Sequence, residues 1–132
     1  MPLTVHRMIW VLALYAWGCG DTCGNDEVSR VRSPDGVHVA VVFERNCGAT
    51  TGFSTQVSIV SSGDSLPPES GNIFIADTDH GAAPAAAWGG PDVQIQWGSN
   101  TQVTVSYHRA ARVFRSVTSH SGVEILYGSL KP

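Results

Sequence analysis

Lysine is almost missing from this chain: the one copy, Lys131, is the penultimate of 132 residues. Seven arginines face eleven acidic side chains, and the formal net charge is −3. Nucleic-acid surfaces need clustered cations and a basic balance, so no nucleic-acid partner is expected. The chain also lacks a G-x-S-x-G elbow, a Walker loop, an H-E-x-x-H pair and paired C-x-x-C motifs, which leaves an enzyme reading without a ready residue set. No apolar run reaches the roughly 20 residues of a bilayer-spanning helix. No amphipathic helical period follows residue 20, which removes the α and α/β classes.

What is present begins with "MPLTVHRMIWVLALYAWGCG". Arg7 precedes an uncharged apolar run over residues 8–17, and Gly18 closes it. That order of basic start, short apolar run and small residue is the layout of a secretory signal, so residues 1–18 are expected to be a signal helix. Cys19 follows at once. "AWGC" at 16–19 resembles the lipobox of bacterial lipoproteins, with two departures: Ala16 stands where the family prefers leucine, and Trp17 where it prefers a small residue. The resemblance implies lipidation of Cys19, a tether over 19–26 and a membrane partner reached through the lipid. Gly20, rather than an aspartate, resembles the pattern sorted to the outer membrane, facing the periplasm. Without processing at Cys19, the alternative is a soluble periplasmic or secreted protein.

Only three cysteines occur: Cys19, Cys23 and Cys47. With Cys19 lipidated as the resemblance implies, Cys23 and Cys47 are left as an even pair in an oxidising compartment, where a disulfide is the expected state. The loop it closes holds about 25 residues, worth roughly 3–4 kcal/mol through the entropy of the unfolded chain. Two other uses of Cys47 stay open, as a metal ligand or as a reactive thiol. The latter gives a thiol-redox protein, and needs a neighbour such as His38, His80, His108 or His120 to lower the thiol pKa.

Residues 27–132 read as strands. "VHVAVVFER" puts Val37, Val39, Val41 and Phe43 on one face, and "FSTQVSIV" does the same with Phe53, Thr55, Val57 and Ile59. That period of two marks half-buried strands. "SPDG" at 33–36 is a turn, with Pro34 presetting φ and Gly36 in the fourth position. "DVQIQW" and "TQVTVSYH" flank "GSN", a short hairpin connection. "RVFRSVT" and "VEILYG", split by "SHSG", are expected to form a last hairpin. Val28 and Val31 suggest a weak first strand, "NIFIAD" a short one, and "GAAPAAAWGG" a flexible segment with one helical turn over 84–88. The expected fold is all-β, one small antiparallel domain of about seven or eight strands, as a meander, a sandwich or a partly closed barrel. A closed propeller needs at least four blades of about forty residues, more than this chain supplies.

Three constellations could carry function. Asp77, Asp79 and His80 in "ADTDHG" could hold a metal or perform acid–base chemistry beside a mobile lid; as a bland alternative, their carboxylates cap turn N–H groups. Gly48, Thr50, Thr51 and Gly52 in "CGATTG" could form an anion-binding nest, or simply a tight strand connection. Arg109, Arg112 and Arg115 are the one basic cluster, suited to an anionic surface such as lipid headgroups or a sugar-acid polymer, or to a solvated edge that discourages aggregation.

The stretch "SPDGVHVAVVFERNCGATTGFSTQVSIV" with "GNIFIADTDHG" resembles a group of small bacterial envelope proteins to which no activity is attached, so the likeness implies none. The expectation is an exported, lipid-anchored binding or structural module without a cofactor, contacting an envelope protein or glycan. The alternatives are a metal-dependent hydrolase or metal binder using Asp77, Asp79 and His80, and a thiol-redox protein using Cys47.

Overall fold

The computed structural model describes residues 23–48 and 52–131. The signal segment, Cys19, Thr50 and Thr51 lie outside the described residues. Nine strands and no helix occur among the described residues. β1 (Gly24–Arg32), β2 (His38–Asn46), β3 (Ser54–Ser61), β4 (Phe74–Asp77) and β7 (Arg112–Ser116) form a five-stranded sheet in that order. β5 (Val93–Ser99), β6 (Gln102–Tyr107), β9 (Val123–Ser129) and β8 (Ser119–His120) form a four-stranded sheet in that order. The two sheets share one core, so the sandwich is the arrangement adopted.

The strands follow from burial. Ala40, Val42, Val57, Ile59, Phe74 and Ala76 of the larger sheet meet Val93, Val103, Val105, Val123 and Ile125 of the smaller one. Phe74 reaches across, with its ring centroid 5.0 Å from that of Tyr107 and 5.9 Å from that of Tyr127. The Tyr127 hydroxyl donates to Val117 O at 2.6 Å and lies 3.1 Å from Ile73 O. It thereby ties the smaller sheet to the backbone of the larger. β2 is buried on both faces, because Val39, Val41 and Phe43 form a second cluster on the outer side, covered by Leu66. The loop carrying Leu66 is held down by Asn25 Nδ2, which donates to Pro67 O at 3.1 Å and Glu69 O at 2.8 Å. A strand covered on both faces reads as a run of valines rather than a strict alternation.

The "SPDG" turn closes β1 onto β2 as expected. Gly36 takes φ +72° and its N–H donates to Ser33 O at 2.8 Å. The Asp35 carboxylate accepts from the Ser33 hydroxyl at 2.7 Å and from Val37 N–H at 3.2 Å. β1 pairs with β2 from Gly24↔Asn46 to Arg32↔Val39, with a bulge at Val28. Extending that register by one step places Cys23 opposite Cys47, and these two form a disulfide across 24 positions of sequence. β1 begins inside the stretch read as a tether and runs the full length of β2. The "GSN" hairpin joins β5 to β6 as expected.

Two expectations are corrected. The last two long strands do not form a hairpin. β7 pairs with β4 in the larger sheet, while β9 lies parallel to β6 in the smaller. The chain crosses between sheets near Val117, whose N–H donates to Ile73 O at 3.0 Å. The Ala/Gly segment is not a loose lid with a helical turn. Ala85 bridges Pro91, and Ala86 N–H donates to Gly90 O at 2.7 Å. Trp88 Nε1 donates to the fully buried Thr55 hydroxyl at 2.8 Å, which itself donates to Pro91 O at 2.6 Å. A Cβ on Gly90 would lie 2.4 Å from Thr55 Oγ1, so only glycine admits this close packing.

Candidate functional site

Antiparallel pairing brings three strand ends together: Ser54 at the start of β3, Asp77 at the end of β4 and Arg112 at the start of β7. The Cys23–Cys47 disulfide caps the ends of β1 and β2 on this same end of the sheet. Here a cleft of about 420 Å³ is lined by Gly52, Phe53, Asp77, Thr78, His80, Gly89 and Arg112. Phe53 is 45 % exposed. Its ring is backed by Gly89, at φ +94°, where a Cβ would come within 2.6 Å of the ring.

The "ADTDHG" segment turns sharply. Asp79, His80 and Gly81 take φ values of +51°, +56° and +90°. The turn is held by side chains: Asp77 Oδ1 accepts from Asp79 N–H at 2.9 Å, and Thr78 Oγ1 accepts from Gly81 N–H at 3.2 Å. The capping role weighed for these carboxylates is therefore real for Asp77. Its other partner is Arg112, which donates from Nε to Oδ1 at 3.1 Å and from Nη2 to Oδ2 at 2.6 Å. This two-pronged guanidinium contact, with the Asp79 N–H, holds the Asp77 carboxyl below its ordinary pKa of 3.8 against the opposing effect of burial. Arg112 also lies over the Phe114 ring, 5.1 Å from its centroid, and 3.9 Å from Asp79 Oδ1.

Asp77 and His80 do line one cleft, but the geometry disfavours a metal centre. No group of three or more His, Cys, Asp or Glu side chains is disposed to hold a metal ion among the described residues. A divalent cation would have to displace Arg112 from Asp77. Cys47 carries no free thiol, since its sulfur is bonded to Cys23. His38 starts β2 and Cys47 follows its end, about 30 Å away at the usual rise per strand residue.

The glycine/threonine loop is described only at its ends. Gly48 takes φ +114°, its N–H donates to Asn46 Oδ1 at 3.0 Å, and Gly52 lines the cleft. The arginine cluster is dispersed. Arg112 is committed to Asp77, Arg115 donates to Gly71 O at 2.6 Å, and Arg109 lines a different cleft.

Phe53 and Gly89 were not legible as site residues, because the contact between them joins segments 36 positions apart. The Asp77–Arg112 pair had a signal: opposite charges at the ends of two strands. Using it required knowing that β4 and β7 are neighbours.

Comparison with protein-family models, with curated proteins and with solved structures finds no match for this chain.

Proposed function

We propose that this protein is an exported, lipid-anchored module of the bacterial envelope that binds a glycan in the Phe53–Arg112 cleft. The observation carrying this reading is an exposed phenylalanine ring sharing a small cleft with a fixed carboxylate–guanidinium pair. A sugar ring offers C–H faces and hydroxyls. The Phe53 ring suits the first, and the Asp77–Arg112 pair with Thr78 and His80 suits the second. Ligand sites commonly combine an apolar wall with a few placed polar groups in this way. Arg112 engages both oxygens of Asp77, which disfavours that carboxylate as a free general base. The Cys23–Cys47 bond is compatible with an oxidising compartment, and Cys19 after its apolar run supports the anchor.

Two experiments test this reading. Labelled palmitate should enter the wild-type protein and not Cys19→Ser; incorporation that survives the substitution overturns the anchor. The full chain should co-sediment with purified envelope glycan, and Phe53→Ala should release it. Equal sedimentation of both proteins would remove the cleft from the account.

A further inference from the structure

β6 and β9 are the one parallel pair among the described strands, in register from Gln102↔Glu124 to Tyr107↔Ser129. Parallel strands end side by side, so the residues that follow them emerge together. The segment after β6 carries His108 and Arg109, and that after β9 carries Leu130 and Lys131. Around these ends lie three clefts, and Ser129 lines all of them. One of about 250 Å³ is formed with His108, Arg109 and Leu130. Another, of about 440 Å³, adds Asp92, Gln94, Ser106 and Lys131. The third adds Tyr107 and Tyr127 beside Arg109.

The cations here are unspent. Arg30 and Arg112 are committed to carboxylates, Arg45 to Asn25 and Arg115 to a backbone carbonyl. Arg109 and Lys131, like Arg32 at the end of β1, have neither an ion pair nor a side-chain hydrogen bond among the described residues, although the chain is net acidic. Asp92 shares a cleft with Lys131 without coming within ion-pair distance. The local backbone is set: Leu130 N–H donates to Tyr107 O at 3.0 Å, and Ala111 N–H donates to His108 O at 2.9 Å. His108 Nδ1 accepts from Ala110 N–H at 3.1 Å. The neutral ring therefore carries its proton on Nε2 and offers a ligand only a donor.

We infer that the paired ends of β6 and β9 form an oxyanion site in the cleft that His108, Arg109 and Ser129 line together, with Arg109, His108 and the Ser129 hydroxyl as donors to a phosphate group and Lys131 in the adjoining cleft adding positive charge. A planar carboxylate is satisfied by one guanidinium fork. Donors arriving from two separate chain segments suit a tetrahedral group with three free oxygens. Asp92 and Gln94 line the adjoining cleft with Lys131, where they would meet a hydroxyl or amine on the same ligand. The site shares no lining residue with the Phe53 cleft, so it stands or falls separately from the glycan reading. The phosphate could be free, or part of a phospholipid headgroup.

Amide NMR of the full chain tests this with two probes, inorganic phosphate and a short-chain phosphatidylglycerol kept below its micelle concentration. Saturable shifts at Arg109, Ser129 and Leu130 are expected with at least one probe. Saturation by phosphate alone assigns a free phosphate; saturation by the lipid assigns a headgroup. Arg109→Ala should weaken binding about tenfold or more, the loss of a charged hydrogen-bond donor, while resonances of the Phe53 cleft stay in place. Acetate should compete poorly. Non-saturating shifts with both probes, equal binding by Arg109→Ala, or acetate binding as tightly as phosphate would overturn the proposal.

Discussion

Arg112 grips Asp77 with two nitrogens, at 3.1 and 2.6 Å, and so joins the start of β7 to the end of β4. The pair is partly open to water, the Arg112 side chain being 44 % exposed and that of Asp77 19 %. Solvent screens such a pair, so its contribution to stability is small. Because the folded state holds the Asp77 pKa below 3.8, its contribution is present above that value and is lost as pH falls through the lower folded value. Asp77→Asn should therefore flatten the acid limb of the stability profile, measured by urea unfolding at a series of pH values. An acid limb identical to wild type would show that the pair contributes nothing.

Thr55 sits under Trp88 as donor and acceptor at once. Thr55→Val keeps the shape but strands Trp88 Nε1 and Pro91 O, and should cost about 1–3 kcal/mol. Thr55→Ser keeps the hydroxyl and should cost about 1 kcal/mol or less, the loss of one methyl group. Chemical denaturation with tryptophan fluorescence separates the two. Equal losses would mean that packing, not the hydrogen bonds, holds the 85–91 segment.

The Cys23–Cys47 bond closes the open end of the β1–β2 hairpin. Replacing both cysteines by alanine should lower stability by roughly 3–4 kcal/mol, seen as a shift in denaturation midpoint that reducing agent reproduces in the wild type. A shift under about 1 kcal/mol would make the bond incidental to stability.

Much of this fold is legible in the sequence. β3, β5 and β6 announce themselves by side-chain alternation and β2 by its run of apolar residues, "SPDG" and "GSN" by turn chemistry, and the Cys23–Cys47 staple by the number of cysteines left once Cys19 is set aside. All of these are local signals or simple counts. What stayed hidden was partner choice. Nothing in "RVFRS" says that it leaves "VEILYG" to lie beside Phe74–Asp77, and nothing in "VEILYG" says that it runs parallel to β6. Those pairings come from burying Phe74, Tyr107 and Tyr127 together, a tertiary event. The candidate site suffered for the same reason. Asp77 and His80 were legible as polar residues in a turn, but the cation opposite Asp77 and the ring of Phe53 are brought by strands that no local pattern connects.

Tyr127 offers a test of that buried aromatic group. Burial first, and Tyr107 second, push its hydroxyl from the ordinary 10.0 up to about 12. The fold keeps the proton that the unfolded chain loses, so stability is whole below pH 10 and falls as pH climbs toward about 12. Ultraviolet titration should show one tyrosine ionising late. In Tyr127→Phe that late step should vanish, at a cost of about 1–2 kcal/mol for the Val117 carbonyl left without its donor, while Ile73 O keeps the N–H of Val117. If every tyrosine ionises near its ordinary value, the hydroxyl is not locked between Ile73 and Val117.

The Phe53–Arg112 cleft is the core of the functional reading, and amide NMR titration of the full chain with N-acetylglucosamine oligosaccharides tests it most directly. The account predicts saturable shifts confined to Phe53, Thr78, His80, Gly89 and Arg112, and an affinity about tenfold or more weaker in Phe53→Ala, in line with the loss of an aromatic contact. Shifts absent from these residues, or unchanged binding by Phe53→Ala, would contradict it.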